Sequence, residues 1–168
     1  MRKIPFFHKI KDEDVIHREI CINEHSRGLE LYPELKDITI RLSKVTSSDV
    51  TYMEITCGGL REKKFIMDKN IDFDRYYEII ESIDFKKMSS ENDMKILDGW
   101  MFTITITKTI PFLSISKHTS LNSPTMGTRG LETDKLLKIY EEIKDLPGYK
   151  EYDKRIEAKR KRLERKDA

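Results

Sequence analysis

The sequence predicts an α+β fold: an antiparallel sheet of about five strands in two hairpins, helices packed on one face, and a basic C-terminal helix. Three observations predict it. Apolar and polar residues alternate with period two over residues 37–44, 49–57 and 100–107, the signature of half-buried strands. Gly58-Gly59 separates two β-rich stretches, as a tight hairpin turn requires. Residues 72–85 and 132–146 carry apolar residues at helical spacing.

Taken in order, the first 35 residues read least clearly. "DEDVIHREICINEHSRG" fits a helix capped by Asp12 and stopped by Gly28, although Ile16, Ile20 and Ile22 also alternate; the expectation leans to helix. "DITIRLSK" sets Ile38, Ile40 and Leu42 against Thr39 and Arg41. "DVTYMEITC", with Met53, Ile55 and Cys57 on one face, and "LREKKFIMD" complete the first hairpin. A helix follows over "DFDRYYEIIESIDF", capped by Asp74, with Phe73, Tyr76, Tyr77, Ile80 and Ile83 as its apolar stripe. "KKMSSENDMK" reads as a polar connector. The second hairpin begins after an Asp98-Gly99 turn. Trp100, Phe102, Ile104 and Ile106 face the core there, opposite Met101, Thr103, Thr105 and Thr107. Pro111 belongs at a strand start or an edge, and Leu113 and Ile115 then alternate with Ser114 and Ser116. The loop "TSLNSPTMGTRG" leads to a helix capped by Thr133 and packed through Leu136, Leu137, Tyr140 and Ile143; Pro147-Gly148 ends it. The domain division is 1–148 for a single α+β domain and 149–168 for a basic helical extension with a thin seam of Tyr149, Tyr152, Ile156 and Leu163.

The 168-residue length suits one domain, and 38% hydrophobic with 37% charged residues is a polar globular composition. The net charge of +2 hides an asymmetry: residues 150–167 hold nine Lys/Arg and five Asp/Glu, so the tail is +4 and the remainder −2. No apolar run is long enough to cross a bilayer, and the start lacks the pattern of a secretory signal. Two cysteines form no disulfide framework, which points to a reduced, cytoplasmic setting.

Trp100 is a core residue on this reading, despite the preference of tryptophan for binding hot spots. Thr103, Thr105 and Thr107 line a hydroxyl-rich outer face able to contact a partner by hydrogen bonding. Arg129, in the loop before a helix, could hold an anion together with backbone amides. His17, Cys21 and His25 stand four apart, as zinc ligands on a helix would; a third ligand at i+8 drifts about 80° around that helix, and a fourth is not evident. No Gly-x-Ser-x-Gly elbow, His-Glu-x-x-His pair or phosphate loop occurs, and His8 and His118 are isolated. The sequence therefore assigns no catalytic residue, metal or cofactor.

The bias to 21 Ile and 21 Lys against two Ala resembles proteins of low-GC bacteria and their phages. The Tyr-Tyr helix "FDRYYEII", the strand "LDGWMFTITI" and the closing Leu-rich helix resemble immunity-type proteins of bacterial toxin systems over roughly residues 60–146. The resemblance implies a single-domain inhibitor that occludes a partner protein, a toxin or a defence or counter-defence component; no functional residue carries over with it. The alternative is a nucleic-acid-associated protein using Lys159, Arg160, Lys161, Arg162 and Arg165 to neutralise phosphates.

Overall fold

The computed structural model describes residues 17–27, 32, 35, 37–45, 50–58, 60–66, 71–91, 99–110, 113–122 and 130–167. Among them lie six strands: β1 (His17–Arg27), β2 (Asp37–Val45), β3 (Thr51–Cys57), β4 (Leu60–Ile66), β5 (Gly99–Ile110) and β6 (Leu113–Asn122). Four helices accompany them: α1 (Phe73–Ser82), α2 (Phe85–Glu91), α3 (Leu131–Lys144) and α4 (Pro147–Asp167). The strands form one antiparallel sheet in the order β4-β3-β2-β1-β5-β6.

The sixth strand corrects the expectation of a helix over residues 12–28; the ends of that stretch, 12–16 and 28, lie outside the described residues. β1 is central in the sheet. Ile20 pairs with Leu42 on one side and Ile106 on the other, and Ile22 with Ile40 and Ile104. Two ladders satisfy its backbone groups at once, and this tertiary pairing outweighs a modest local preference for helix.

Alternation sorts the side chains as the sequence indicates. Ile20, Ile22, Ile40, Leu42, Met53, Ile55, Phe102, Ile104 and Ile106 are buried on one face, here called inner. β5 includes Trp100, opposite Ser26; the expectation for its side chain lies outside the described residues, as does that for Pro111. β6 runs to Asn122, so the first residues of the expected loop are strand, and Thr119 and Leu121 are buried.

The helices contribute Phe73, Tyr76, Tyr77, Ile80, Leu136, Ile139, Tyr140 and Ile143 to the same apolar cluster as the inner face. The Phe102 and Tyr140 rings meet edge to face at 4.9 Å. Capping differs from expectation at two places. Asp72, not Asp74, caps α1, its carboxylate accepting from the Arg75 amide at 3.0 Å. Asp74 instead binds Arg18 and Lys44, cross-strand neighbours on β1 and β2, and ties the start of α1 to the sheet. α3 starts from Gly130 with no side-chain cap bond, and Thr133 is buried one turn further in.

The expected connector over 86–95 contains α2. Asp84 accepts from the Lys86 and Lys87 amides, which nucleates a short helix that buries Phe85 and Met88. Residues 92–95 lie outside the described residues. α4 is anchored by buried Tyr149, Tyr152 and Ile156, with Leu163 packed against the cluster, so the seam joins the core of residues 1–148. Pro147 opens it, where a missing N–H is harmless. A Cβ on Gly148 would stand 3.1 Å from Phe65 and 3.2 Å from the Met53 sulfur, so glycine lets α4 come down closely on β3 and β4.

Candidate functional site

The outer face of the sheet is the mirror of its core. Every helix–sheet side-chain contact named above reaches the inner face, whereas the outer side chains are half-buried to exposed. Two chemically different halves meet along β1.

On the β5–β6 half, directly opposed residues pair their hydroxyls: Thr103 with Ser120 at 2.9 Å, Thr107 with Ser116 at 3.0 Å, and Thr109 with Ser114 at 3.0 Å. Thr105 stands opposite His118 on one side and Cys21 on the other. The Thr39 hydroxyl donates to Asn23 across β1–β2 at 2.8 Å, extending the polar ladder. Thr103, Thr105 and Thr107 are therefore brought together as expected from alternation, and the structure adds Ser120 and Ser116 as partners of Thr103 and Thr107, with Thr109 and Ser114 continuing the ladder.

On the β1–β4 half, charges alternate across the strands. Arg41 Nε lies 3.3 Å from Glu19, its Nη1 lies 3.4 Å from Glu54, and Lys64 donates to the other Glu54 oxygen at 2.6 Å. The Lys64 hydrogen bond, with help from Arg41, holds the Glu54 carboxyl below the usual carboxylate range. His25 pairs with Asp37 at one end of the face. Alternation places Arg41 on this face from the sequence, but its acidic neighbours come from strands whose register no local pattern encodes.

Cys21 lies on this face between Arg41 and Thr105. Burial pushes the Cys21 thiol up, although Arg41 works against it, so the thiolate that nucleophilic chemistry needs is disfavoured. With β1 a strand, His17, Cys21 and His25 share one face but stand roughly 13 Å apart in succession. A common zinc ion is out of their reach. A groove of about 310 Å³ between α1 and α3 is lined by Arg75, Lys135, Lys138 and Glu142 among others. Arg75 pairs there with Glu142, and Lys135 pairs with Glu132. Among the described residues, no histidine or cysteine lines it.

Arg129 lies outside the described residues. The five tail residues expected to contact phosphates do not share one side. At about 100° per residue, Lys159 and Arg160 flank the buried seam and are half-buried, and Arg160 is paired with Glu157. Lys161, Arg162 and Arg165 point outward and are exposed, and Lys154 joins them at i−7 from Lys161. They form an exposed basic ridge along the outer side of α4. No described helix is long and apolar enough to cross a membrane, and neither Cys21 nor Cys57 is in a disulfide. Comparison with known proteins finds no matching family model, no matching curated protein and no matching solved structure.

Proposed function

We propose that this protein is a non-enzymatic protein-binding module which occludes a partner through its outer sheet face, as immunity and inhibitor proteins do in bacterial toxin or phage conflict. The observation that carries the reading is the ladder of paired hydroxyls on β5 and β6 beside the Glu19–Arg41–Glu54–Lys64 charge array. Hydroxyl pairs can exchange a neighbour for a partner's donor or acceptor at little net change in free energy, because the hydrogen bonds they surrender are replaced. The charge array supplies register and steering more than affinity. Thr103, Thr105 and Thr107 are the contact residues on this reading, while the helix-bearing side holds the fold. Two cysteines outside any disulfide suit the cytoplasm. The test begins with a partner captured from the native host. Hydrogen exchange on the purified complex is expected to slow further at amides of β5 and β6 and not along the outer side of α4.

The exposed ridge of Lys154, Lys161, Arg162 and Arg165 favours a second reading, a nucleic-acid-associated protein. Phosphate contacts make affinity fall with salt at a slope of roughly 0.9 per contact on duplex DNA. K161E/R165E should then flatten that slope by about 2. Absence of binding to a duplex or a single strand at low salt removes this reading.

A further inference from the structure

The two edges of the sheet are built differently. β4 closes one edge with Arg61, Glu62, Lys63 and Lys64 in succession. α4 also leans on it, with Lys63 bound to Glu151 and the Arg61 carbonyl accepting from the Tyr152 hydroxyl. Charge and cover of this kind are how sheets keep their edges from pairing with other strands.

β6 closes the other edge with far less charge, although α2 packs beside it. Its ten residues, "LSISKHTSLN", contain one Lys and no acidic residue, and its described partner strand is β5 alone. The Lys117 ammonium is drawn back into its own chain, donating to the Glu81 and Ile83 carbonyls and lying over the Phe85 ring. Leu113 and Ile115 are 52% and 56% exposed on the inner side of this strand. A long strand with a single charged residue and exposed apolar side chains is a template for another strand.

We propose that β6 pairs antiparallel with β6 of a second copy of this chain, in the register that places His118 opposite His118 of its twin. A two-fold axis perpendicular to the sheet joins like faces, so each residue must meet one of the same parity along the strand. Four registers overlap over seven residues or more, and the one centred on Thr119 sets Lys117 against Leu121. Centring on Ser116 sets Ile115 against Lys117, and centring on Lys117 opposes two ammonium groups. Centring on His118 sets Ile115 against Leu121, Ser116 against Ser120, Ser114 against Asn122 and Lys117 against Thr119. That register matches apolar with apolar and polar with polar, sets no lysine opposite another, and uses most of the strand. The two Lys117 lie diagonally, each held by carbonyls of its own chain. The result is a continuous twelve-stranded sheet carrying two outer hydroxyl faces side by side. The inference stands on the edge strand and is independent of what the outer face binds.

Sedimentation equilibrium of the full chain from micromolar to submillimolar concentration tests the pairing. The expected mass is twice the 19.9 kDa of one chain, falling to a single chain in Ile115→Lys with unchanged far-ultraviolet circular dichroism. Register is read by cysteine cross-linking in a Cys21→Ser background. His118→Cys should give a disulfide-linked dimer, Ser116→Cys should not, and Ser116→Cys/Ser120→Cys should. A monomer at every concentration overturns the proposal, as does a dimer that survives Ile115→Lys or that cross-links through Ser116→Cys but not His118→Cys. A partner strand from another protein would give the first of these results.

Discussion

The Tyr152 hydroxyl sits 3.1 Å from the Cys57 amide, accepting its hydrogen bond, and donates to the Arg61 carbonyl at 3.3 Å. One side chain on α4 thus completes the backbone bonding on both sides of the β3–β4 turn, 95 residues earlier in the chain. Tyr152 is fully buried, and burial lifts its hydroxyl above the usual tyrosine range despite the favourable Cys57 bond, so it stays a neutral donor and acceptor. Tyr152→Phe keeps the packing but strands a buried amide, and should lower the urea-unfolding free energy by about 1–3 kcal/mol. Tyr152→Ala adds the loss of a large core side chain and should cost about 3–5 kcal/mol. Indifference to both changes would mean that α4 is not part of the folded unit.

Acid should release the clamp at Asp74. Its carboxyl is held below the ordinary value by the Lys44 hydrogen bond first and by Arg18 beside it. A depressed folded pKa adds stability that is complete above the unfolded value, about 3.9, and is lost as pH falls through the folded one. Asp74→Asn should therefore be less stable than the parent at neutral pH. The gap should be at most about 1 kcal/mol for so exposed a pair, closing on acidification. Thermal melts across an acid series measure it.

Glu24 should behave in the opposite sense. It stands on the inner face between Ile38 and Phe102 in the β2 and β5 ladders. Burial raises its carboxyl, with Lys144 opposing and Glu141 adding to the shift. The folded state then holds the proton more tightly than the unfolded chain, so stability declines as pH rises from the unfolded value, about 4.3, through the folded one. Glu24→Gln removes that penalty. Its melting temperature should exceed the parent's at neutral pH, with the difference vanishing in acid. A variant less stable at neutral pH would show that the Lys144 attraction outweighs burial.

The contrast between β1 and β5 explains how much was legible beforehand. Eight residues of strict alternation from Trp100 fix β5 as a strand whatever surrounds it, and the stripes of α1 and α3 are as plain. Ile16, Ile20 and Ile22 fit a strand and a helix equally well; only the two neighbours that close on β1 decide, and they lie far away in sequence. Asp84, Phe85 and Met88 hold a cap and an i,i+3 apolar pair that could have announced α2, but one such pair does not make a stripe. The threonine face was visible through alternation alone. Its charged half was not, because Glu19, Arg41, Glu54 and Lys64 meet through strand order.

On the outer face, single substitutions should be mild for the fold. Thr105→Ala loses a β-branched side chain at a half-exposed position and should change stability by about 0.2–1 kcal/mol. A larger loss by chemical denaturation would mean that the face is covered in the folded protein.

Calorimetric titration of the captured partner into three proteins tests the central claim most directly: the parent, T103K/T105K/T107K and K161E/R165E. Binding should be abolished by the three lysines on β5 and retained by the charge reversals on α4. Retention by the first variant and loss in the second would contradict the account and move the working surface to the basic ridge.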